Sequence, residues 1–148
     1  MCHLPSQSGG ATESDWKRKH AKTILQQHIN RILHTQPNAK IIVMGDMNSH
    51  PSNDLCDMYN LMLHFAKHGV GTHKHHGVWS CLDQFYVSKS LCDKTSVNIF
   101  SPEWPLEEDK QYLGNKPFRT YIGYRYQAGY SDHLPIVLTI DSNALSPK

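Results

Sequence analysis

Ile41-Ile42-Val43-Met44-Gly45-Asp46-Met47-Asn48-Ser49-His50-Pro51 begins with four apolar residues and closes on a proline. Two Ile and a Val in an unbroken apolar run predict a short strand buried on both faces. Regular structure ends at the proline. In extended backbone, Asp46 and Asn48 are two apart and point to the same side. A carboxylate and an amide would then project together from the end of a buried strand, where sheet proteins commonly place ligand-binding groups. The same two residues also suit an Asx turn that caps backbone at a strand end. The local sequence leaves both readings open.

Upstream, Ser6 to Glu13 is a polar, Gly-containing loop, and a helix is expected from Ser14 or Asp15 to about His34. Ala21, Ile24, Leu25, His28, Ile29, Ile32 and Leu33 fall on one stripe at helical spacing, and Ser14 or Asp15 is the expected N-cap. Lys17, Arg18, Lys19 and Lys22 crowd the first turns, as a solvated face or as a basic rim near an anionic substrate. Gln36-Pro37-Asn38 turns the chain into the strand, a helix-to-strand step typical of layered α/β architecture.

Downstream, a second helix is expected from Asn53 or Asp54 to Lys67, stopped by Gly69. His64, His68, His73, His75 and His76 follow closely. Imidazole is the commonest metal ligand, but His73-Lys74-His75-His76 lacks the i, i+4 spacing of a helical site and no Cys accompanies it, so a polar loop is the better reading. Val78 to Ser88 alternates, with Trp79, Cys81, Phe85 and Val87 on one face. Asp83 shares that face. A carboxylate on the buried side of a strand is costly unless paired, and no partner is local. Further strands are expected at Thr95–Phe100, Phe118–Ile122 and Ile136–Ile140, with an irregular stretch from Pro102 to Gly114 and a frayed tail from Asp141 to Lys148.

The 148 residues suffice for one domain with a real core. The composition is 39% hydrophobic and 19% charged, without an apolar run that would span a membrane. A net charge of +2 excludes only a strongly basic DNA-coating protein. Cys2, Cys56, Cys81 and Cys92 lie far apart with no CxxC, which gives neither a zinc ribbon nor a dense disulfide scaffold. Met1-Cys2-His3-Leu4-Pro5-Ser6 has no basic or apolar leader region, so it is no signal peptide.

Three segments fit together chemically: Gly45-Asp46-Met47-Asn48, the buried Asp83, and Ser131-Asp132-His133. A His that wants an orienting carboxylate and an Asp that wants a donor satisfy each other, which is the logic of general-base catalysis. Asp132 and Asp46, with Asn48 as a neutral oxygen donor, suit a hard divalent cation such as Mg²⁺. A metal plus a His–Asp base can direct water at a phosphate ester.

GDMN at Gly45–Asn48, LDQ at Leu82–Gln84 and SDHLP at Ser131–Pro135, in this order, resemble the endonuclease/exonuclease/phosphatase superfamily, whose fold is that of DNase I. HLPSQSGG at His3–Gly10, GVWSCLDQFYVS at Gly77–Ser88 and KPFRTYIGYRY at Lys116–Tyr126 look like the branch often found in Bacteroidetes bacteria. The resemblance covers nearly the whole chain. It implies His133 as general base and Asp83 as its orienting partner. Asp46 and Asn48 would position nucleophile and phosphate or bind a second metal, and Asp132 would bind the metal, Mg²⁺ or else Mn²⁺ or Ca²⁺. His3 matches a second catalytic His near the leaving group, although Cys2 and Gln7 stand where Asn and Arg are usual.

The resemblance further implies an α+β fold, the C-terminal half of a four-layer α/β/β/α sandwich, here one mixed, mainly antiparallel sheet with flanking helices. Residues 1–148 would be a partial domain, because the N-terminal half with the Glu that is the principal Mg²⁺ ligand has no counterpart here. A bare apolar sheet face would then seek that missing half or a second copy. The expected activity is metal-dependent phosphoester hydrolysis, weak or absent in this chain alone; a non-catalytic module keeping the fold is the alternative. The superfamily's substrates range from DNA and RNA to inositol phosphates, sphingomyelin and small phosphomonoesters. The aromatic-rich stretch from Trp104 to Tyr130 reads as packing or as a stacking surface, and Arg119 and Arg125 as structural cations or phosphate contacts. Any export signal would lie in the missing part, so the compartment stays open.

Overall fold

The computed structural model describes residues 1–7 and 9–142. In chain order the elements are β1 (Cys2–His3), α1 (Ala11–Thr35), β2 (Ile42–Asp46), β3 (Met58–Asn60), α2 (Leu63–Lys67), β4 (His73–His75), β5 (Val78–Ser80), β6 (Asp83–Ser88), α3 (Lys89–Cys92), β7 (Thr95–Ile99), β8 (Leu106–Glu108), β9 (Asn115–Pro117), β10 (Tyr121–Ile122), β11 (Arg125–Tyr126) and β12 (Ile136–Ile140). The class is α+β, as expected. The main sheet has the order β1-β2-β6-β3, with β1 parallel to β2 and the other pairs antiparallel. Four two-stranded sheets accompany it: β7 with β12, β4 with β5, β8 with β9, and β10 with β11.

The layers follow from side-chain parity along β2 and β6. Val43 and Tyr86 face α1 and join Leu4, Ile29, Leu55 and Met58 in one core cluster. Ile42 and Val87 face the other way, packing with Leu91, Leu138 and Ile140. A second cluster, Met62, Cys81, Ile99 and Leu134, fills the space toward β7 and β12. The order is therefore helix, main sheet, second sheet. The expected burial of β2 on both faces holds only in part: Val43 is buried, but Met44 on the opposite face is 39% exposed. Few large apolar side chains of that face are exposed, since Phe85 and Val87 are buried. All four cysteines are free.

Several boundaries differ from the sequence expectation, each for a local reason. Helix α1 starts at Ala11 because Gly10, at φ 122°, turns the chain before it. Ser14 is inside the helix, and its Oγ donates to Gly10 O at 2.9 Å. The buried stripe of α1 is narrower than the sequence indicated: Ala21, Leu25, Ile29 and Leu33 pack inward, while Ile24 and Ile32 are exposed. The second helix shrinks to α2. Asp57 adopts φ 60°, which no helix accommodates, and Met58–Asn60 pair with the rim of β6 instead. The alternating run from Val78 to Ser88 is two strands in different sheets, broken at Cys81–Leu82 where the amides of Leu82 and Asp83 both donate to Thr72 Oγ1 at 3.3 Å. The stretch taken as irregular contains β8, which pairs with β9, and of the strand expected at Phe118–Ile122 only Tyr121–Ile122, β10, forms. Residues 143–148 of the expected frayed tail lie outside the described residues.

The basic cluster at the start of α1 is structural or solvated. Arg18 Nη1 donates to Pro5 O and Ser14 Oγ, Lys19 pairs with Asp15, and Lys22 bonds Asp54 and Ser49. Lys74 and Asp109, at 4% and 5% side-chain exposure, form a buried ion pair at 3.0 Å that fastens β4 to the β8–β9 segment.

Gly45 is the tightest steric constraint in the main sheet. It holds φ 134°, and a Cβ there would sit 1.9 Å from Cys2 O. Gly45→Ala should therefore push β1 off the edge of β2 and cost at least about 1 kcal/mol of stability, read as a lower urea midpoint. The Lys74–Asp109 pair has a pH signature. The Lys74 ammonium, by hydrogen bond and charge, holds the Asp109 carboxyl below its ordinary value. Its contribution is thus complete above the ordinary carboxylate pKa of about 3.9 and is lost as pH falls through the depressed value. Asp109→Asn should be less stable at neutral pH and lose less stability than the parent between neutral and strongly acidic pH in thermal melts.

Candidate active site

The main sheet sets three candidate side chains in one cross-strand row. His3 of β1 is registered with Asp46 of β2, and Asp46 with Asp83 of β6. The fourth arrives from far along the chain. His133 forms a bridge with His73 of β4, and Leu134 N donates to Thr72 O at 2.7 Å. This backbone clamp delivers the imidazole to the row, where Nδ1 donates to Asp83 Oδ2 at 2.6 Å. The partner missing from the neighbourhood of Asp83 in the sequence is thus 50 residues away.

All six residues singled out from the sequence, His3, Asp46, Asn48, Asp83, Asp132 and His133, line one open cleft of about 890 Å³. Ser6, Gln7, His50, His73, His75, Ser80, Leu82 and Ser131 complete its wall. A smaller depression of about 450 Å³ beside Leu33 and Tyr59 gathers no comparable set of titratable groups.

The two readings of Asp46 and Asn48 turn out to describe one object. Strand β2 stops at Asp46, and Asn48 adopts φ 47° in the turn that follows. Asp46 Oδ1 accepts the Asn48 amide at 2.7 Å, and Oδ2 accepts Asn48 Nδ2 at 3.2 Å. Asn48 Nδ2 also donates to Leu4 O at 2.9 Å, and Gln7 Nε2 donates to Asn48 O. The Asx turn is present, and it presents both side chains to the cleft. His3 Nε2 stands 3.6 Å from Asp46 Oδ2 on a ring that is 77% exposed.

Electrostatics in the cleft are dominated by the three acids around His133. Burial works against its protonation, but the hydrogen bond and charge of Asp83, with the charges of Asp46 and Asp132, raise its pKa above the ordinary value. Burial likewise opposes ionisation of Asp83, and the hydrogen bonds from His133 and Thr72 reverse this and lower its pKa. Asp46 is raised, by burial first and by the charge of Asp83, against the pull of the Asn48 amide. The result is a basic imidazole whose Nδ1–H is committed to a carboxylate, leaving Nε2 to take a proton.

Behind the cleft a buried polar network holds the loop after Asn48. Gln84 Nε2 donates to Ser49 O at 2.6 Å, while its Oε1 accepts from Asn60 Nδ2 and the Tyr86 hydroxyl. Tyr86 also reaches Asp54, which Lys22 engages from α1. Gln84 was visible only as part of the LDQ motif. Its burial in β6 beside Asp83 is the signal that a polar side chain there braces backbone.

The His-rich run does not gather into one site. His64 of α2 and His68 at its C-cap meet with tilted rings, His76 meets Tyr112, and His73 and His75 share one face of β4 toward the cleft. Among the described residues, the group spaced to hold a metal is His73, Asp132 and His133. The sequence reading weighed His73 only within the His-rich run, which it took as a polar loop and which is strand β4 at His73–His75, and it missed Thr72. A Thr-His pair opening a strand just after Gly71 gave no pattern of its own.

The comparisons with known proteins agree with this geometry. A family model described as the endonuclease/exonuclease/phosphatase family matches residues 1–142. No curated protein and no solved structure gives a significant match. A match over nearly the full length, on a chain whose three family-like motifs meet in one cleft, places it: the chain belongs to the endonuclease/exonuclease/phosphatase family of hydrolases.

Proposed function

We propose that this chain carries the water-activating side of a divalent-metal-dependent phosphoesterase, and the observation that supports it most is the 2.6 Å hydrogen bond from His133 Nδ1 to Asp83. Asp83 orients the ring and stabilises its protonated form, and Nε2 accepts the proton of the attacking water. Asp46 and Asn48, locked to each other by two hydrogen bonds, position the reacting phosphate. His3, exposed at the rim, supports the leaving-group side.

The donor set fits a hard cation such as Mg²⁺, Mn²⁺ or Ca²⁺. Asp132 is an exposed carboxylate in the cleft, and Asp46 and Asn48 add oxygens. Such an ion would supply charge stabilisation to the phosphoryl oxygens. No helix among the described residues is long and apolar enough to cross a membrane.

A second reading, a module that keeps the fold with weak or no turnover, is favoured by the small number of carboxylates available to a cation. In that case a second copy or another chain that brings carboxylates to the open cleft would complete the site.

Hydrolysis of a generic aryl phosphodiester with Mg²⁺ present separates these. In the first reading His133→Ala lowers kcat by about 10²–10⁴, and Asp83→Asn lowers it in the same direction with KM little changed. Turnover that survives His133→Ala sinks the proposed base. Absence of turnover with any of the three cations, in a correctly folded monomer, sinks the enzymatic reading for this chain.

A further inference from the structure

His73 sits against the candidate base without any assigned role. Its ring centroid is 4.8 Å from that of His133, and its ring lines the cleft. With Asp132 and His133 it forms the one group among the described residues spaced for a metal ion. Its hydrogen bonding argues against that use. Arg119 Nη2 lies 3.2 Å from His73 Nε2 and 3.1 Å from Lys74 O. A guanidinium has donors only, so His73 Nε2 must be the acceptor. Nη2 carries two hydrogens, one for each acceptor, which fixes the direction of both bonds.

The consequence is a tautomer. A ring whose Nε2 lone pair is engaged by a permanent cation is uncharged and carries its proton on Nδ1. That ring has no lone pair left for a metal. It has one N–H to give. A group that can only donate matches an anion oxygen and does not match a cation. Being uncharged, it also does not repel a divalent ion held at Asp132.

Arg119 is held in place for this. Phe118 O accepts the amides of Tyr130 and Ser131 at 2.7 and 3.2 Å, so the Phe118–Arg119 segment is pinned to the irregular segment that leads into Asp132 and His133. His75 stacks on His73, with centroids 6.2 Å apart and planes 20° from parallel.

We propose that His73, fixed by Arg119 as an uncharged Nδ1–H donor, is a binding residue for a non-bridging oxygen of the phosphate group that the cleft takes. This rests on the reading of the cleft as a phosphate-ester site, but its test does not require turnover.

The probe is inorganic phosphate, titrated into protein with ¹⁵N-labelled histidine and followed by long-range ¹H–¹⁵N NMR. At neutral pH His73 should report one neutral tautomer with the proton on Nδ1, and Arg119→Ala should abolish that single-tautomer signature. Phosphate should shift the His73 resonances saturably. His73→Ala should weaken phosphate binding by about tenfold, the loss expected of one hydrogen bond to a charged oxygen. The isosteric pair is the sharper control. In His73→Asn the side-chain amide stands near the Nδ1 position and binding should be largely kept. In His73→Gln the amide stands near Nε2, facing Arg119, and binding should be lost as in His73→Ala. Retained His133 resonances in each variant, with Nδ1 still protonated toward Asp83, certify the fold.

Three results overturn the proposal. The first is a His73 ring that is protonated or carries its proton on Nε2. The second is phosphate binding that is absent in the parent or unaffected by His73→Ala and His73→Gln. The third is Zn²⁺ bound through His73, Asp132 and His133 and lost in His73→Ala, which would show the lone pair to be free and the cluster to be a metal site. A hydrolysis assay that fails while the phosphate titration succeeds would leave His73 standing and fell only the enzymatic reading.

Discussion

The Asp83 carboxylate is the constraint on which the arrangement depends. It opens β6, one of the two interior strands of the main sheet, largely withdrawn from water, and a lone carboxylate there would be costly. Two groups make it tolerable. Thr72, fully buried, takes the amides of Leu82 and Asp83 at its hydroxyl and hydrogen-bonds the carboxylate, and His133 closes the remaining side. Both come from elements that would otherwise have no reason to meet. The His73–His133 bridge and the Leu134–Thr72 hydrogen bond then tie the last strand to the small β4–β5 ribbon. Satisfying one acid therefore fixes the relative position of three parts of the chain.

Much of this was legible because the cost of burying charge is visible in sequence. Alternation put Asp83 among apolar residues, and the absence of a local donor pointed to a distant one, which SDH supplied. The reading reached the correct partner even though the alternation itself was wrong: Trp79 and Asp83 belong to different sheets. The parity argument failed at Cys81–Leu82 because a backbone break held by a threonine side chain leaves no hydrophobic trace. The second helix failed for a related reason. Leu55, Met58 and Met62 are buried at spacings a helix also satisfies, and the left-handed Asp57 that ends that possibility is a conformation open to Asp without being required of it.

The strand end at Asp46 shows where two opposed readings were never alternatives. An Asx turn uses a carboxylate to accept a backbone amide two residues on, and the same bond holds that carboxylate at a fixed angle to the following side chain. Preorganisation is what a binding group needs. The turn also requires close approach of β1, which only a residue without Cβ permits at position 45. Gly45 is the reason His3 can stand beside Asp46.

Two histidines share the cleft within ring contact, and their partners push them apart in character. His133 faces Asp83, Asp46 and Asp132, which together favour its protonated form over the opposing effect of burial. His73 is disfavoured as a cation by burial first, then by the charges of His133 and Arg119, and its pKa is pushed down to about 4. The same side chain, a few ångströms apart, is thus prepared as a proton acceptor in one place and as an uncharged ring in the other. Such divergence between neighbouring titratable groups is what the roles proposed for the two rings, proton transfer for His133 and binding for His73, require. Composition could register only that histidine was abundant. The difference in character is set by which charged side chain each ring meets, and Arg119 and Asp83 reach theirs from opposite directions in the chain.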